Sequence, residues 1–143
     1  MRSFLDTSVL IAAFQTFHQH HGPSFELLRR SQPADSACGL HSLVEVYATL
    51  TSMPPPYRVS GDQAMLFVGG LPERLSVVGL DRREYLRVLE ESAAAGIAGG
   101  TVYDALLGAC AVKAGARFLY TWNIKDFLRL PAAVSARVKR PGE

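Results

Sequence analysis

Four acids spread along the chain, Asp6, Glu45, Asp104 and Asp126, have the residue type and placement to do chemistry together. In FLDTSV the large apolar residues Phe4 and Leu5 give way at once to Asp6, Thr7 and Ser8, so a carboxylate stands where an apolar segment ends. Taken singly, each acid has a simpler explanation. Asp6, Thr7 and Ser8 are the short oxygen side chains that cap a helix, here one starting near Val9. Ser42 with Glu45, and Thr101 with Asp104, have the offset of a capping box, and an acid in a first helical turn also suits the helix dipole. Asp126 in TWNIKDF has the position of a turn or cap acid. Four independent caps, however, have no reason to fall at strand ends and helix starts in this order. Gathered carboxylates raise one another's proton affinity and oppose folding unless a cation offsets them. Oxygen donors without a cysteine among them select a hard divalent ion, Mg2+ or Mn2+, over zinc.

The elements that must position these acids alternate between short apolar runs and helical patterns, the mark of an α/β domain on a mainly parallel sheet. The expected strands are Ser3 to Leu5, Asp35 to Cys38, Leu75 to Val78, Arg117 to Thr121 and Val134 to Val138. Leu40, Leu43, Tyr47 and Leu50 recur at helical spacing and predict one buried stripe, ended before Pro54, Pro55 and Pro56. Ser60 is placed to cap a helix through Ala64, Phe67 and Val68 that stops at Gly69 and Gly70; charged and apolar helices follow from Arg82 to Ala95 and from Thr101 to Lys113, the latter closed by Gly115. In such sheets ligands bind beyond the carboxyl ends of the strands, where Asp6 and the Thr121–Asp126 stretch both fall.

Composition narrows the class. The 143 residues are one domain's worth, with 48% hydrophobic and 20% charged residues, which suits a chain that buries a core. No apolar run approaches the roughly 18 residues of a membrane span. Cys38 and Cys110 lie far apart and outside any C-x-x-C pair, which fits reduced thiols in a cytoplasm and gives no support to a zinc ribbon or disulfide framework. A net charge of +2 permits RNA binding without arguing for it; the local clusters Arg29–Arg30, Arg82–Arg83–Arg87 and Arg137–Lys139–Arg140 also read as solvated faces. His18, His20 and His21 in FHQHHG match no zinc spacing and read as a solvated loop or helix end, with substrate contact as the other reading; His41 is treated alike. Phe14, Phe17 and Phe25 are assigned to the core, or else to a partner groove. A phosphoaspartyl phosphatase, which would need a second Asp two residues after Asp6, is disfavoured because Ser8 stands there.

The stretches FLDTSVLIAAF, SLVEVYATLTSMPPP and YDALLGACAVKAGARFLYTWNIKDF resemble the PIN domain, and more narrowly the VapC toxins of bacterial toxin–antitoxin pairs. The resemblance covers roughly residues 1–130 of a single domain spanning 1–143, leaving 131–143 as a short basic C-terminal segment. It implies a three-layer α/β/α sandwich with a mainly parallel central sheet, and a Mg2+-dependent endoribonuclease, Mn2+ substituting, that leaves 5′-phosphate and 3′-hydroxyl ends. By the same resemblance Asp6, Glu45 and Asp104 form the acidic triad and the fourth position lies around TWNIKD. Asp6 and Asp104 are then the principal metal ligands, Glu45 a ligand or an orienter of the attacking water, Asp126 and Asn123 peripheral supports, and Thr7, Ser8 and Thr121 the groups that hold the carboxylates or a phosphate. Many PIN domains carry aspartate where this chain has Asn123, so the occupancy of a second metal stays open. The implied partners are an RNA substrate, a VapB-like antitoxin covering apolar helical surface, and a second copy in a homodimer. Two other readings remain: a catalytically weak or inactive PIN scaffold that binds RNA or protein, and a metal-dependent DNA nuclease.

Overall fold

The computed structural model describes residues 1–143. Five strands form one all-parallel sheet, β1 (Ser3–Leu5), β2 (Ser36–Gly39), β3 (Ser76–Val78), β4 (Phe118–Tyr120) and β5 (Val138–Lys139), in the order β3-β2-β1-β4-β5. The strands are short and their side chains alternate between two cores, as pleating requires. Leu5, Cys38 and Tyr120 point to one core; Phe4, Ala37 and Leu119 point to the other. Register follows, with Phe4 beside Ala37 on one side and beside Leu119 on the other.

Four helices, α1 (Thr7–Phe14), α2 (His21–Arg29), α3 (Leu40–Ser52) and α4 (Gly61–Gly70), place Val9, Leu10, Leu27, Val46, Leu50, Ala64 and Val68 in the first core. The second core takes Leu107, Cys110 and Ala111 from α6 (Thr101–Lys113), Phe127 from α7 (Ile124–Leu128) and Val134 from α8 (Ala132–Ser135). The amphipathic α5 (Arg82–Ala94) packs outside α6. This is the expected α/β/α sandwich. Capping chemistry sets several boundaries: Ser60 and Gln63 form a reciprocal box at the start of α4, as do Asp81 and Glu84 at α5. After α6, Gly115 takes φ +69°, and the Gly115 and Ala116 amides close back onto Val112 and Ala111 carbonyls, a Schellman turn.

Three expectations need correction. The last strand is Val138–Lys139 rather than 134–138, because Ala132–Ser135 winds into α8 and Val134 packs against Gly108. Within the short basic segment 131–143, β5 completes the sheet beside β4. The buried line of α3 is Ser42, Val46 and Leu50, whereas Leu40 and Tyr47 are exposed, because β2 hands the chain to the helix at Gly39. Phe17 and Phe25 are about half exposed and only Phe14 packs against a core, with its ring 5.1 Å from that of Phe67. FHQHHG is a helix end, as one of its readings had it: His21 opens α2, in which Pro23 is tolerated in the first turn, where its missing amide proton has no helical partner. Cys38 and Cys110 are free and buried; burial pushes their thiols up to about 12 and about 11, so both act as packing groups.

No helix is long and apolar enough to cross a membrane. The packing of α6 on α8 gives a sharp test. A methyl added at Gly108 would stand 2.8 Å from one Val134 methyl and 3.0 Å from the other, and a β-branched side chain has little freedom to turn away. At Gly69, on an exposed stretch of α4, an added methyl meets nothing within 4 Å. In denaturant unfolding Gly108→Ala should therefore cost about 1–3 kcal/mol, while Gly69→Ala should stabilise by about 0.5–1 kcal/mol.

Candidate active site

In the strand order β3-β2-β1-β4-β5 the chain moves one way from β1 to β2 and the other way to reach β4, so the carboxyl end of β1 is the switch point of the sheet. Asp6 occupies it. Its amide donates to the Tyr120 carbonyl at 3.0 Å, which continues the ladder one residue past the strand and fixes the carboxylate between β1 and β4. Asp6 is also the cap residue of α1, though its bond from the Ser8 amide is long at 3.4 Å. Shorter bonds come from Ser8 Oγ at 2.8 Å and Thr121 Oγ1 at 2.7 Å. All three converge on Oδ2 and leave Oδ1 to another partner. Trp122 and Asn123 tighten the corner: their amides donate to Ser8 Oγ at 3.0 Å and Thr121 Oγ1 at 2.9 Å.

Glu45 is no capping acid. The cap of α3 is Gly39, with no side-chain bond, and Ser42 is fully buried with its hydroxyl 2.8 Å from Thr7 Oγ1. Thr7 Oγ1 in turn donates to Glu45 Oε1 at 2.9 Å. Thr7 therefore serves Glu45, while Ser8 and Thr121 serve Asp6. The capping reading fails for Asp104 as well, since α6 starts from Gly100 without a side-chain cap. Asp126 lies in the first turn of α7, whose cap Asn123 contributes no side-chain bond.

Electrostatics shows which acids share one space. The Asp104 carboxyl is pushed up to about 7, first by burial and then by the negative charges of Asp6, Asp126 and Glu45. Asp6, almost wholly buried, is also raised, with burial outweighing the hydrogen bonds from Thr121 and Ser8 that act in the opposite direction. No basic side chain relieves the group: the three ion pairs of the chain, Glu26–Arg29, Glu84–Lys113 and Glu143–Arg140, all lie elsewhere. The acids ring a space without closing on one point, for no three His, Cys, Asp or Glu side chains stand together at ligand spacing. Mutual repulsion is reason enough for that separation. A free Oδ1 on a buried carboxylate, three further acids and no cation make an all-oxygen donor set suited to a hard divalent ion that also keeps water ligands.

The histidines take other roles. His20 stacks on Trp122 with ring centroids 3.7 Å apart and planes within 6°. Trp122 Nε1 donates to Ser24 Oγ at 2.8 Å, which ties α2 to the corner after β4. His18 accepts from the His20 amide through Nδ1 and is lowered by burial and by the charges of His20 and His21; the His21 ring nitrogen lies 2.9 Å from the Ala12 carbonyl oxygen. His41 lies parallel to Tyr103, the neighbour of Asp104, at 5.3 Å. Sequence reasoning missed Ser42, Ser24 and Trp122 as parts of this corner; the offset between Ser42 and Glu45 pointed to a local cap instead of a contact with Thr7 on α1.

Comparison with known proteins agrees with this architecture. The family model of the PIN domain matches residues 3–132. Ribonuclease VapC40 of Mycobacterium tuberculosis (strain ATCC 25618 / H37Rv) is 33% identical over 114 residues, which span 80% of this chain and 81% of that protein. Among solved structures, the sarcin-ricin loop cleaving toxin VapC20 of Mycobacterium tuberculosis superposes with a TM-score of 0.68 at 20% identity over 85% of this chain and 89% of the other. VapBC2 from Rickettsia felis, bound to a DNA fragment from the VapBC2 promoter, gives 0.66 at 20% identity over 98% of both chains. VapBC-1 from nontypeable Haemophilus influenzae gives 0.67 at 17% identity over the full length of both. The five-stranded parallel sheet thus belongs to a known architecture, and this chain is a member of the PIN domain family.

Proposed function

We propose that this chain is a divalent-metal-dependent endoribonuclease and the toxin of a VapBC-like pair. The observation that carries the reading is the ring of four carboxylates without a cation at the switch point, with Asp104 pushed up to about 7. Its likeness to a ribonuclease VapC at 33% identity supports the same chemistry. Asp6 and Asp104 would hold the ion, Asp6 through the oxygen left free by its three hydrogen bonds. Glu45, steadied by Thr7, would bind the ion or orient the attacking water. Asp126 adds charge at the rim, and Asn123 stands exposed beside it with a carbonyl oxygen to offer. Ser8 and Thr121 keep the Asp6 carboxylate from turning. When bound, Mg2+ or Mn2+ supplies Lewis-acid stabilisation of charge on the phosphoryl oxygens and activates water at neutral pH.

A toxin of this kind needs restraint. The paired rings of exposed Phe17 and Tyr57, 4.4 Å apart, and the exposed Met65 and Leu66 on α4 offer apolar helical surface for a VapB-like antitoxin. The VapBC complexes among the structural neighbours support that partner. A homodimer in the cytoplasm is the working state expected from the resemblance.

Cleavage of RNA and DNA oligonucleotides compared side by side tests the reading. RNA should be cut with Mg2+, EDTA should stop the reaction, and Asp6→Asn or Asp104→Asn should each lose more than about a hundredfold with the fold retained. RNA binding without cleavage by the wild-type chain would favour the inactive scaffold, and cleavage of DNA alone would favour the DNA nuclease.

A second test reads the ion without activity. Asp104 keeps its proton to about pH 7 in the folded chain but only to its ordinary 3.8 when unfolded, so between these values the folded state holds more protons and stability falls as pH rises. Asp6, raised in the same direction, adds to the fall. The metal-free chain should melt at a lower temperature near pH 8 than near pH 5. Mg2+ should raise Tm more at the higher pH, and Asp104→Asn should flatten both trends while stabilising the metal-free chain near pH 8. Equal Mg2+ effects at both pH values would count against Asp104 as a ligand.

A further inference from the structure

At the β4–β5 edge, on the α1–α4 side of the sheet, positive charge gathers around one aromatic ring. Phe118 is only partly buried, and three cations crowd its ring: Lys139 Nζ lies 4.4 Å from the centroid, the Arg117 guanidinium carbon 5.0 Å and that of Arg2 6.0 Å. Arg30 joins them through a cleft lined by Arg2, Arg30, Ser31, Asp35, Ser36 and Tyr120. None of the four cations belongs to an ion pair. The one acid in the cleft, Asp35, is occupied by Ser36 Oγ at 2.7 Å and the Gln32 amide at 3.2 Å, both on the same oxygen, although Arg2 is near enough to lower it. Like charges held around one aromatic face repel each other, and the ring's attraction for each of them offsets only part of that. Such a group becomes favourable when a polyanion lies across it.

Its position says which polyanion. The Thr121 amide donates to the Lys139 carbonyl at 3.0 Å, and the Thr121 hydroxyl donates to Asp6, so the two strands that carry the positive cluster around Phe118 lead up to the acidic ring at their carboxyl ends. From there a positive strip descends β4 to Arg117, whose amide pairs with Met1 next to Arg2 at the opposite end of the sheet. Four residues of extended chain cover about 13 Å, so a strand entering the acidic ring meets the positive cluster within a few nucleotides. We propose that this strip is the track for an RNA strand running away from the acidic site, with Lys139, Arg117 and Arg2 on its phosphates and Phe118 holding the cations in place. An acidic protein segment would also meet positive charge here, but only a continuous strand has to occupy the acidic site and the strip at once. The proposal rests on the ribonuclease reading, yet uses none of the four acids.

Fluorescence anisotropy of a single-stranded RNA of about twelve nucleotides, added to the full chain carrying Asp6→Asn in the presence of Mg2+, tests it. Combined Arg117→Gln and Lys139→Gln should weaken binding about tenfold or more and flatten the dependence of log K on log salt by about 0.7 per cation removed. Phe118→Leu, which keeps core volume but loses the ring face, should weaken binding about threefold. Arg117→Gln alone alters an exposed side chain without hydrogen bonds and gives the same readout should the double variant fold poorly. Arg87→Gln, on α5 in the other layer, serves as the charge-matched control for Arg117→Gln alone. Unchanged affinity in the double variant, or an equal loss in the Arg87 control, overturns the track. Loss of polyglutamate binding with RNA binding intact would also overturn it, by making the strip a protein-docking surface. If the chain without Asp6→Asn cuts no RNA, the ribonuclease reading falls, while the contrast in binding still judges the strip.

Discussion

A carboxylate buried at the switch point without a counter-charge is the constraint on which the rest of this structure turns. Asp6 has given up its water and received in exchange three hydrogen bonds from neutral donors, all on one oxygen. Neutral donors soften the cost of burying a charge but do not cancel it, and the raised proton affinity of Asp6 registers the remainder. Three more acids surround it. A fold under selection for stability alone has no reason to gather four acids that share no ion pair with a lysine or arginine. The arrangement makes physical sense for a chain that completes its electrostatics by taking up a cation.

That constraint reaches into the architecture. Keeping Oδ2 of Asp6 engaged requires Ser8 on the first turn of α1 and Thr121 just past β4, which in turn requires β1 and β4 to be neighbours. The sequence-distant pair Thr7 and Glu45 repeats the device between α1 and α3, with Ser42 as the buried backstop. On the far side, Phe127 anchors α7 in the second core, and α6 is held by Val134 against Gly108, so Asp126 and Asp104 stand on well-packed helices. Rigid neighbours keep like charges at a fixed separation that side-chain motion would otherwise relax.

Much of this was legible before any coordinates. Alternating short apolar runs and helical periods specified the layers, and proline and glycine punctuation placed the ends of α3 and α6 close to where they lie. The acids were found by their joint placement. Misreadings came where a local rule and a distant contact compete for the same residues. The offset from Ser42 to Glu45 satisfies a capping box, yet Thr7 takes both side chains, and nothing in the local pattern near Ser42 announces a threonine on another helix. Val134 opens the short apolar run expected as the last strand, whereas packing against a glycine on α6 draws it into a short helix. Phe17 and Phe25 were counted as core because aromatic bulk is usually buried, but their surroundings leave them half exposed.

The hydrogen bond from Thr121 to Asp6 joins residues 115 apart in the chain, and Trp122 meets Ser8 across nearly the same separation. Contacts of such range are the last that a chain growing from its N-terminus can make. Asp6 and Glu45 leave the ribosome early, but the corner that orients Asp6 does not exist until Thr121 and Trp122 have followed them out. A nascent fragment carrying only the first strands holds acids without the geometry to aim them. The length of chain between β1 and β4 therefore works as a timer, and the corner cannot assemble until the 115 residues that follow Asp6 have been made.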